Sequence, residues 1–464
     1  MDPNSIIMIA YYFPPEGNAA VYRPLRFLKG LVSKGWHATV ISCEPYRYER
    51  YDPKLLAQVP PTVPIVRVRE WDPWQALHAW RKVRLGKRLA SSSADEVRQV
   101  IAGHQSPWRS RFRELVRLAE ACIYRPDRAM SWIGPTTREA IAVCRRSRPD
   151  VLWATIGPLS SGVIAYRVSL ATGIPYVLDF RDPWGLGYYH EERNRPAWAK
   201  RIDDQNLARM FERAQAVVFL FKSVADCYVK KFPGALDEIK VHIIPNGFEG
   251  EVESFSHAPG ERCVVLYAGT LSSYRYDSLL EGLAELKRKN PSGAGRLQIR
   301  FVGEGLRELS DRVAVLGLTD MVEVFPPVPS NEVRRLQKEA HALLVLGRNP
   351  GRTGHELVAG AKLFGYLQAG RPIIGVVPHD ATRRILQEVE SSLIADADVP
   401  SEVVAVFERV LSAWSTKTLQ TLVPNPASCE AYSSSRQMSN LIAALNGISP
   451  VKTSLPHLQS EVTP

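Results

Sequence analysis

Gly354-His-Glu-Leu-Val-Ala-Gly-Ala-Lys-Leu-Phe-Gly-Tyr-Leu-Gln-Ala-Gly-Arg-Pro-Ile-Ile-Gly-Val-Val377 is the stretch on which the fold of this chain turns. Leu363, Tyr366 and Leu367 recur at helical spacing, which predicts a short amphipathic helix over 361–369. Gly370 stands where a helix C-cap belongs, and Pro372 follows it. Ile373 to Val377 is a short apolar run suited to a strand buried on both faces. Loop, helix, tight turn and buried strand together read as one αβ unit of a parallel sheet. The glycines ahead of the helix leave its first N–H groups uncovered, and such a start attracts phosphate.

Working outward, the same alternation fills the second half of the chain. Strands are predicted over 264–268, 297–302, 322–325 and 342–346, and helices over 333–340, 403–414 and 432–445. Leu279, Leu280, Leu283 and Leu286 give one further helix a continuous apolar face. The loop Gly269-Thr-Leu-Ser-Ser-Tyr-Arg275 follows the first of these strands, and Gly303-Glu-Gly305 follows the second. Arg275 there could grip a phosphate as a charged fork or simply be a solvated arginine.

The first half repeats the theme. A strand over 6–11 leads into Phe13-Pro-Pro-Glu-Gly-Asn18, where two prolines bar regular structure. A helix carrying Leu25, Leu28 and Val32 runs to Gly35, and a strand follows over 38–42. This is a βαβ unit with a glycine-bearing loop at the usual ligand position. Further strands are expected over 151–155, 176–179, 216–221 and 241–244, with a polar-faced helix over 201–213. The strand at 176–179 runs into Asp179-Phe-Arg-Asp-Pro-Trp184, which places Asp179, Arg181 and Asp182 at the sheet's carboxyl edge. Such a cluster can orient sugar hydroxyls or do acid–base work, or it can be a structural salt bridge. The polar stretch 249–260 lacks periodicity and reads as a linker between domains.

Composition narrows the class. With 464 residues and 45% hydrophobic content, the chain can build two or three globular cores. A net charge of +11 points to an anionic partner such as a nucleotide, a phospholipid surface or nucleic acid. The six cysteines form no CxxC pair, which argues against a zinc site or disulfide framework and for a reducing compartment. No run reaches membrane-spanning length, and no signal peptide is read at the start. Residues 67–117 hold twelve basic side chains against five acidic ones, with Trp71, Trp74, Trp80, Trp108 and Phe112 interleaved. Such a segment suits an anionic membrane surface, or an inserted helical pair packed on its own domain. No nucleic-acid-binding module is recognisable in it.

Five motifs stand in a fixed order: Tyr12-Phe-Pro-Pro-Glu-Gly17, Asp179-Phe-Arg-Asp-Pro-Trp184, Ile244-Pro-Asn-Gly-Phe248, Tyr267-Ala-Gly269 and Lys362-Leu-Phe-Gly-Tyr-Leu-Gln-Ala-Gly-Arg-Pro372. On these the chain resembles the GT4-type glycosyltransferases, and within them a bacterial subset with RDPW and KLFEYL-like motifs. The resemblance covers roughly residues 5–445. It implies an α/β chain of the GT-B fold, with two Rossmann-like doubly wound domains facing across a cleft. The implied layout is an acceptor domain over 1–255 carrying the basic tryptophan-rich insert 67–125, and a nucleotide-sugar domain over 256–430. A helix over 431–446 would cross back to the first domain, and 447–464 would be a disordered tail. It implies transfer of a sugar from a nucleotide-sugar donor, with retention and generally without a metal or other cofactor. The acceptor would be lipid-linked or a polysaccharide of the bacterial surface. The expected place is the cytoplasm, with peripheral contact at the inner membrane face.

Site residues follow from the motifs position by position. Gly17 matches the first glycine of the family's N-terminal loop, while Asn18 stands where a second glycine is common. Arg181 and Asp182 fall where many relatives place a catalytic histidine, and Glu16, Asn18 and Asp179 lie on the acceptor side. Donor binding is expected from Gly17, Gly269, Thr270, Arg275, Gly303, Lys362, Leu363 and Gly365. Lys362 can help neutralise the diphosphate or be a surface lysine with an apolar stem. The family's Arg–Lys pair aligns with Thr270 and Arg275, so only the second position keeps its charge. The family's glutamate pair aligns with Leu357 and Gly365, with Glu356 adjacent but out of register. These departures leave a second reading, a GT-B scaffold that binds a saccharide or protein partner without transfer. A third is a sugar-nucleotide epimerase on the same fold.

Overall fold

Apolar runs of five or six residues, each followed by a helix, close into two parallel sheets. The computed structural model describes residues 4–44, 50–70, 125–193, 195–256, 260–349 and 354–448. The first sheet contains β1 (Ser5–Ala10), β2 (His37–Glu44), β3 (Ile65–Arg69), β4 (Val151–Ile156), β5 (Tyr176–Phe180), β6 (Ala216–Phe219) and β7 (Val241–Ile243). Its order is β3-β2-β1-β4-β5-β6-β7. Ile6 sits opposite both Ala38 of β2 and Val151 of β4, in parallel register. Every residue of β4 and β5 is buried, as expected of strands covered on both faces.

The second sheet contains β8 (Cys263–Ala268), β9 (Leu297–Val302), β10 (Val322–Phe325), β11 (Ala342–Leu346), β12 (Ile373–Val376) and β13 (Ile394–Ala395). Its order, β10-β9-β8-β11-β12-β13, repeats that of the first, and its pairs are parallel. Strand order reverses between β1 and β4 in one sheet and between β8 and β11 in the other. Ligands of doubly wound sheets bind beyond the carboxyl ends of strands at such reversals.

The chain divides into two compact units. One holds Met1–Phe219, Tyr228–His242 and Ile442–Pro464; the other holds Leu220–Cys227 and Ile243–Leu441. The division after His242 lies upstream of the expected linker. Glu253 N–H donates to Gln368 O at 2.8 Å, and Gln368 Nε2 donates to Glu249 O. The segment is thus fastened to the second unit, and its lack of periodicity reflects an extended path rather than freedom.

The helix of the opening stretch forms over Lys362–Gln368, with Leu363, Phe364, Tyr366 and Leu367 buried. Gly370 has φ +59°, and a Cβ there would lie 1.9 Å from Glu253 O. Both the left-handed backbone and the close approach require glycine. In the helix Asp277–Lys289, the leucines at 279, 280, 283 and 286 are fully buried.

Two expectations change. Ile65-Val-Arg-Val-Arg69 is a strand, so Arg67 and Arg69 belong to the first sheet rather than to a basic insert. Arg67 donates to Ser42 Oγ at 3.2 Å and to Pro14 O. Met130–Ser147 forms a long helix that periodicity did not reveal, with Pro135 inside it. Most of the tryptophan-rich stretch, including Trp71, Trp74, Trp80, Trp108, Arg109, Arg111, Phe112 and Arg113, lies outside the described residues, as does the tail from 449 onward. Among the described residues no helix is long and apolar enough to cross a membrane.

Candidate functional site

At the carboxyl edge of the second sheet, β8 and β9 are each followed by a glycine. Gly269 has φ +134° and Gly303 φ +154°, conformations that residues with a Cβ rarely adopt. A Cβ on Gly303 would lie 2.3 Å from Gly269 O, so the two backbones touch. Gly269 N–H donates to Val302 O at 2.8 Å, and Leu271 N–H donates to Glu304 O at 3.0 Å. The loop 269–275 is thereby fixed to the loop after β9. Thr270 is exposed, and its carbonyl accepts from the Tyr267 hydroxyl at 2.9 Å.

Lys362, the first residue of its helix, aims at this loop. Its Nζ lies 3.7 Å from the Tyr267 ring centroid and 4.3 Å from that of Tyr274. The atom is buried and has no hydrogen-bond partner. A Cβ on Gly269 would lie 3.1 Å from it. An aromatic face stabilises a desolvated ammonium by about 2 kcal/mol. Burial works the other way and, with the like charge of Arg348, pushes this lysine down to about 7. The helix is tied to β8 by its own tyrosine: Ala268 N–H donates to the Tyr366 hydroxyl oxygen at 2.8 Å.

Arg275 stands at the loop's far end, its N–H donating to Gly347 O at 2.9 Å. Its guanidinium forms a two-pronged pair with Asp398, whose carboxyl it holds below the usual range; Nη1 to Oδ2 is 3.2 Å. After β12, Asp380 caps the helix Ala381–Glu388 by accepting from Arg383 N–H at 3.0 Å; burial pushes its carboxyl up to about 6. Gly365 lines a shallow cleft with Arg334, Gln368 and Glu253, and a Cβ there would meet nothing within 4 Å. The space for a larger side chain at 365 is therefore open. Leu363 corrects an expectation: its side chain is fully buried in the core and cannot face a donor.

The edge of the first sheet is built differently. Glu16 is buried, and its Oε1 accepts from Gly17 N–H at 3.2 Å and Arg50 N–H at 3.3 Å. Gly17 N–H donates to Arg50 O at 2.7 Å, and a Cβ at 17 would lie 3.1 Å from Asp52 Cβ. These two residues anchor the loop to the 50–52 segment. Asn18 accepts from Ala20 N–H at 2.9 Å and so starts the short helix Ala19–Val21. Asp179 corrects a second expectation. It is wholly buried and gripped by Arg23, with Nη2 to Oδ1 at 2.7 Å, so it is a structural salt bridge rather than an acceptor contact. Arg181 is not its partner. That guanidinium donates to Ala20 O at 2.8 Å, Gly157 O at 2.6 Å and Ile156 O at 3.4 Å, joining the loops after β1 and β4. Asp182 is half-buried and accepts from the Tyr189 hydroxyl at 2.7 Å. Arg23 and Arg348 are not singled out from sequence because the groups they meet lie far along the chain, and Tyr189 is passed over although Asp182 stands only seven residues away; Tyr267 and Tyr274 lie within quoted stretches but carry no role there.

Known proteins share this architecture. Residues 19–247, just under half of the chain, match the family model of a glycosyl transferase 4-like domain. The D-inositol 3-phosphate glycosyltransferase of Frankia alni is 26% identical over 156 residues, 32% of this chain. The match spans only 36% of that relative's own length. Over nearly the whole chain the structure is similar to HepE of Anabaena in complex with UDP-glucose. The TM-score is 0.58 and identity 11%, with 96% of this chain and 100% of that one covered. It is also similar to the lipopolysaccharide outer core galactosyltransferase WaaB, with TM-score 0.57, 13% identity, and 95% and 99% covered. A sucrose-phosphate synthase from Thermosynechococcus elongatus gives 0.56 at 12% identity, with 94% and 97% covered. With two doubly wound units of matching strand order, the fold is GT-B.

Proposed function

We propose that this chain is a retaining glycosyltransferase that moves a sugar from a nucleotide-sugar donor to a lipid-linked or polysaccharide acceptor in bacterial surface glycan synthesis. The observation that carries the reading is the match of residues 19–247 to a glycosyl transferase 4-like domain within a chain of GT-B fold. It is supported by HepE, which was solved with UDP-glucose, and by WaaB, a lipopolysaccharide galactosyltransferase.

In this reading the second unit holds the donor and the first the acceptor. Departure of a nucleoside diphosphate leaves negative charge that must be stabilised as it develops. Lys362 and Arg275 supply that stabilisation, and no metal or other cofactor is called for. Arg275 is paired with Asp398, whose side chain is 62% exposed, and an exposed pair costs only about 0–1 kcal/mol to open. Gly269 and Gly303 let the backbone approach the phosphates, with Thr270 beside them. On the acceptor side, Arg181 positions the loops after β1 and β4, and half-buried Asp182 orients an acceptor hydroxyl. The test is release of nucleoside diphosphate from a panel of UDP, GDP and ADP sugars. Failure of every one to bind at millimolar concentration would overturn the reading.

A second reading, binding without transfer, is favoured by Gly365, which stands where the resemblance to the GT4 type implies a glutamate. It would show as donor affinity without turnover. The basic stretch around Arg109, Arg111 and Arg113 is assigned to an anionic inner membrane surface. Flotation on anionic liposomes should be lost when all three are neutralised, and unchanged flotation would remove the stretch as the anchor.

A further inference from the structure

In the first unit, the helix Ala197–Arg213 buries Ala199, Asp203, Leu207, Met210 and Phe211 along one side. Its opposite side repeats at the same helical period and carries Trp198, Arg201, Ile202, Gln205 and Arg209, all exposed. Trp198 keeps 54% of its surface open and Ile202 39%. The two stand at i and i+4, so they meet solvent as one apolar patch with Arg201 beside it.

Charge around this patch has one sign. The Arg125 guanidinium lies 5.5 Å from the Trp198 ring centroid. It shares buried Asp203 with Arg195, Nη2 to Oδ1 at 3.2 Å, so two cations meet one carboxylate there. The neighbouring acid, Asp204, is held on the helix's flank by Lys231 at 2.7 Å. Glu212 is exposed only at the far end of the helix, away from Trp198. The basic, tryptophan-bearing sequence that precedes residue 125 enters the described chain at Arg125, beside the patch. A second copy of the chain seated here about a two-fold axis would bring Arg201 and Arg209 against themselves. Two apolar side chains are also too few for the core of a stable protein interface. An anionic phospholipid surface suits both features: indole at headgroup depth, Ile202 at the acyl boundary, and guanidiniums on phosphates.

We propose that the outer side of the helix Ala197–Arg213 docks on an anionic phospholipid surface, with Trp198 and Ile202 as its apolar anchors and Arg201 and Arg209 as its charged ones. The helix lies in the plane of the headgroups rather than across them, because its other side belongs to the core of the first unit. Contact of this kind needs neither donor nor sugar transfer, and it uses residues other than Arg109, Arg111 and Arg113.

The experiment is flotation of the full chain on vesicles of phosphatidylcholine with about 30% phosphatidylglycerol, and on phosphatidylcholine alone, read as a partition coefficient. Trp198→Ala with Ile202→Ala should lower partition onto the anionic vesicles about ten-fold, since both side chains are already partly covered. Arg201→Gln with Arg209→Gln should lower it about 25-fold, roughly five-fold for each charge, and Arg201→Lys should keep it. All four positions are exposed, so none of these changes reaches the core side of the helix. Ile239→Ala, at a residue 88% exposed elsewhere in the first unit, should change nothing. Either double variant partitioning as the parent does would overturn the inference, and the basic stretch would then be the anchor. Equal partition of the parent onto both vesicle types, or an Ile239→Ala loss as large as that of the apolar pair, would also overturn it. A parent chain that stays off the anionic vesicles would overturn this face and the stretch together, with the transfer reading still standing.

Discussion

The two sheet edges carry similar numbers of charged groups but spend them in opposite ways. In the first unit, the Arg23 guanidinium closes on Asp179, Arg181 on three backbone carbonyls, and Glu16 on two backbone N–H groups. Each charge is consumed in holding a loop. In the second unit, glycines shape the loops, and Lys362 is left buried without a hydrogen-bond partner. Internal satisfaction makes an edge rigid. An unsatisfied buried cation makes an edge that a ligand can complete. Under the proposed function, the contrast suits a unit that presents an acceptor on a fixed surface and a unit that responds to a donor.

The largest test of this contrast is in the first unit. Arg23→Met leaves Asp179 wholly buried without its counter-charge, at a cost of about 3–5 kcal/mol. Thermal melting and urea unfolding should register that loss, and Arg23→Met with Asp179→Leu together should recover much of it. An Arg23→Met chain as stable as the parent would mean that the pair is not what holds this edge.

In the second unit the sign reverses. The folded chain keeps Lys362 near 7 while the unfolded chain returns it to its ordinary 10.5. Between those values the unfolded state binds more protons, so ligand-free stability rises with pH across that window and is lowest below 7. Lys362→Met removes both the cost and the slope. Its melting temperature at pH 7 should be higher than that of the parent by roughly 2–4 °C, even though it binds nucleotide worse. Melting curves at pH 7 and pH 9 check this. A lower melting temperature at both would show that the aryl–ammonium contacts outweigh desolvation.

These two residues also mark where sequence reading succeeds and where it stops. The 354–377 unit was legible because its evidence is local: helical spacing of Leu363, Tyr366 and Leu367, then Gly370 and Pro372, then an apolar run. Repetition of that pattern was enough for two doubly wound units. The strand β3 was missed because Arg67 and Arg69 alternate with Val66 and Val68, and their charges merged with the basic stretch that follows. The Asp179 partner was illegible because Arg23 lies 156 residues away, whereas Arg181 stands two residues off and looks the better candidate. Leu363 was placed at the donor because its motif is, yet helical geometry turns its side chain into the core while Lys362, one position earlier, faces the loop. Neither burial of Lys362 nor its tyrosine neighbours can be read from a motif, because Tyr267 and Tyr274 come from an element nearly a hundred residues upstream.

The smallest effect lies at Arg275, a charge of the second edge that a carboxylate already engages. Its pair with Asp398 bridges the loop after β8 and the start of the helix Pro400–Ser415, across 123 residues of chain. Arg275 is 23% exposed and Asp398 62%, so solvent screens the pair and its stability contribution is about 0–1 kcal/mol. A diphosphate competing for the same guanidinium must displace the carboxylate. Asp398→Asn keeps the size and loses the charge, so nucleoside diphosphate affinity should rise a few-fold, with melting temperature almost unchanged. Arg275→Gln should lower that affinity instead, since it removes the fork rather than its competitor. The two substitutions act in opposite directions only if Arg275 reaches the ligand. If both leave affinity where it was, the guanidinium belongs with those of the first unit, as a strut.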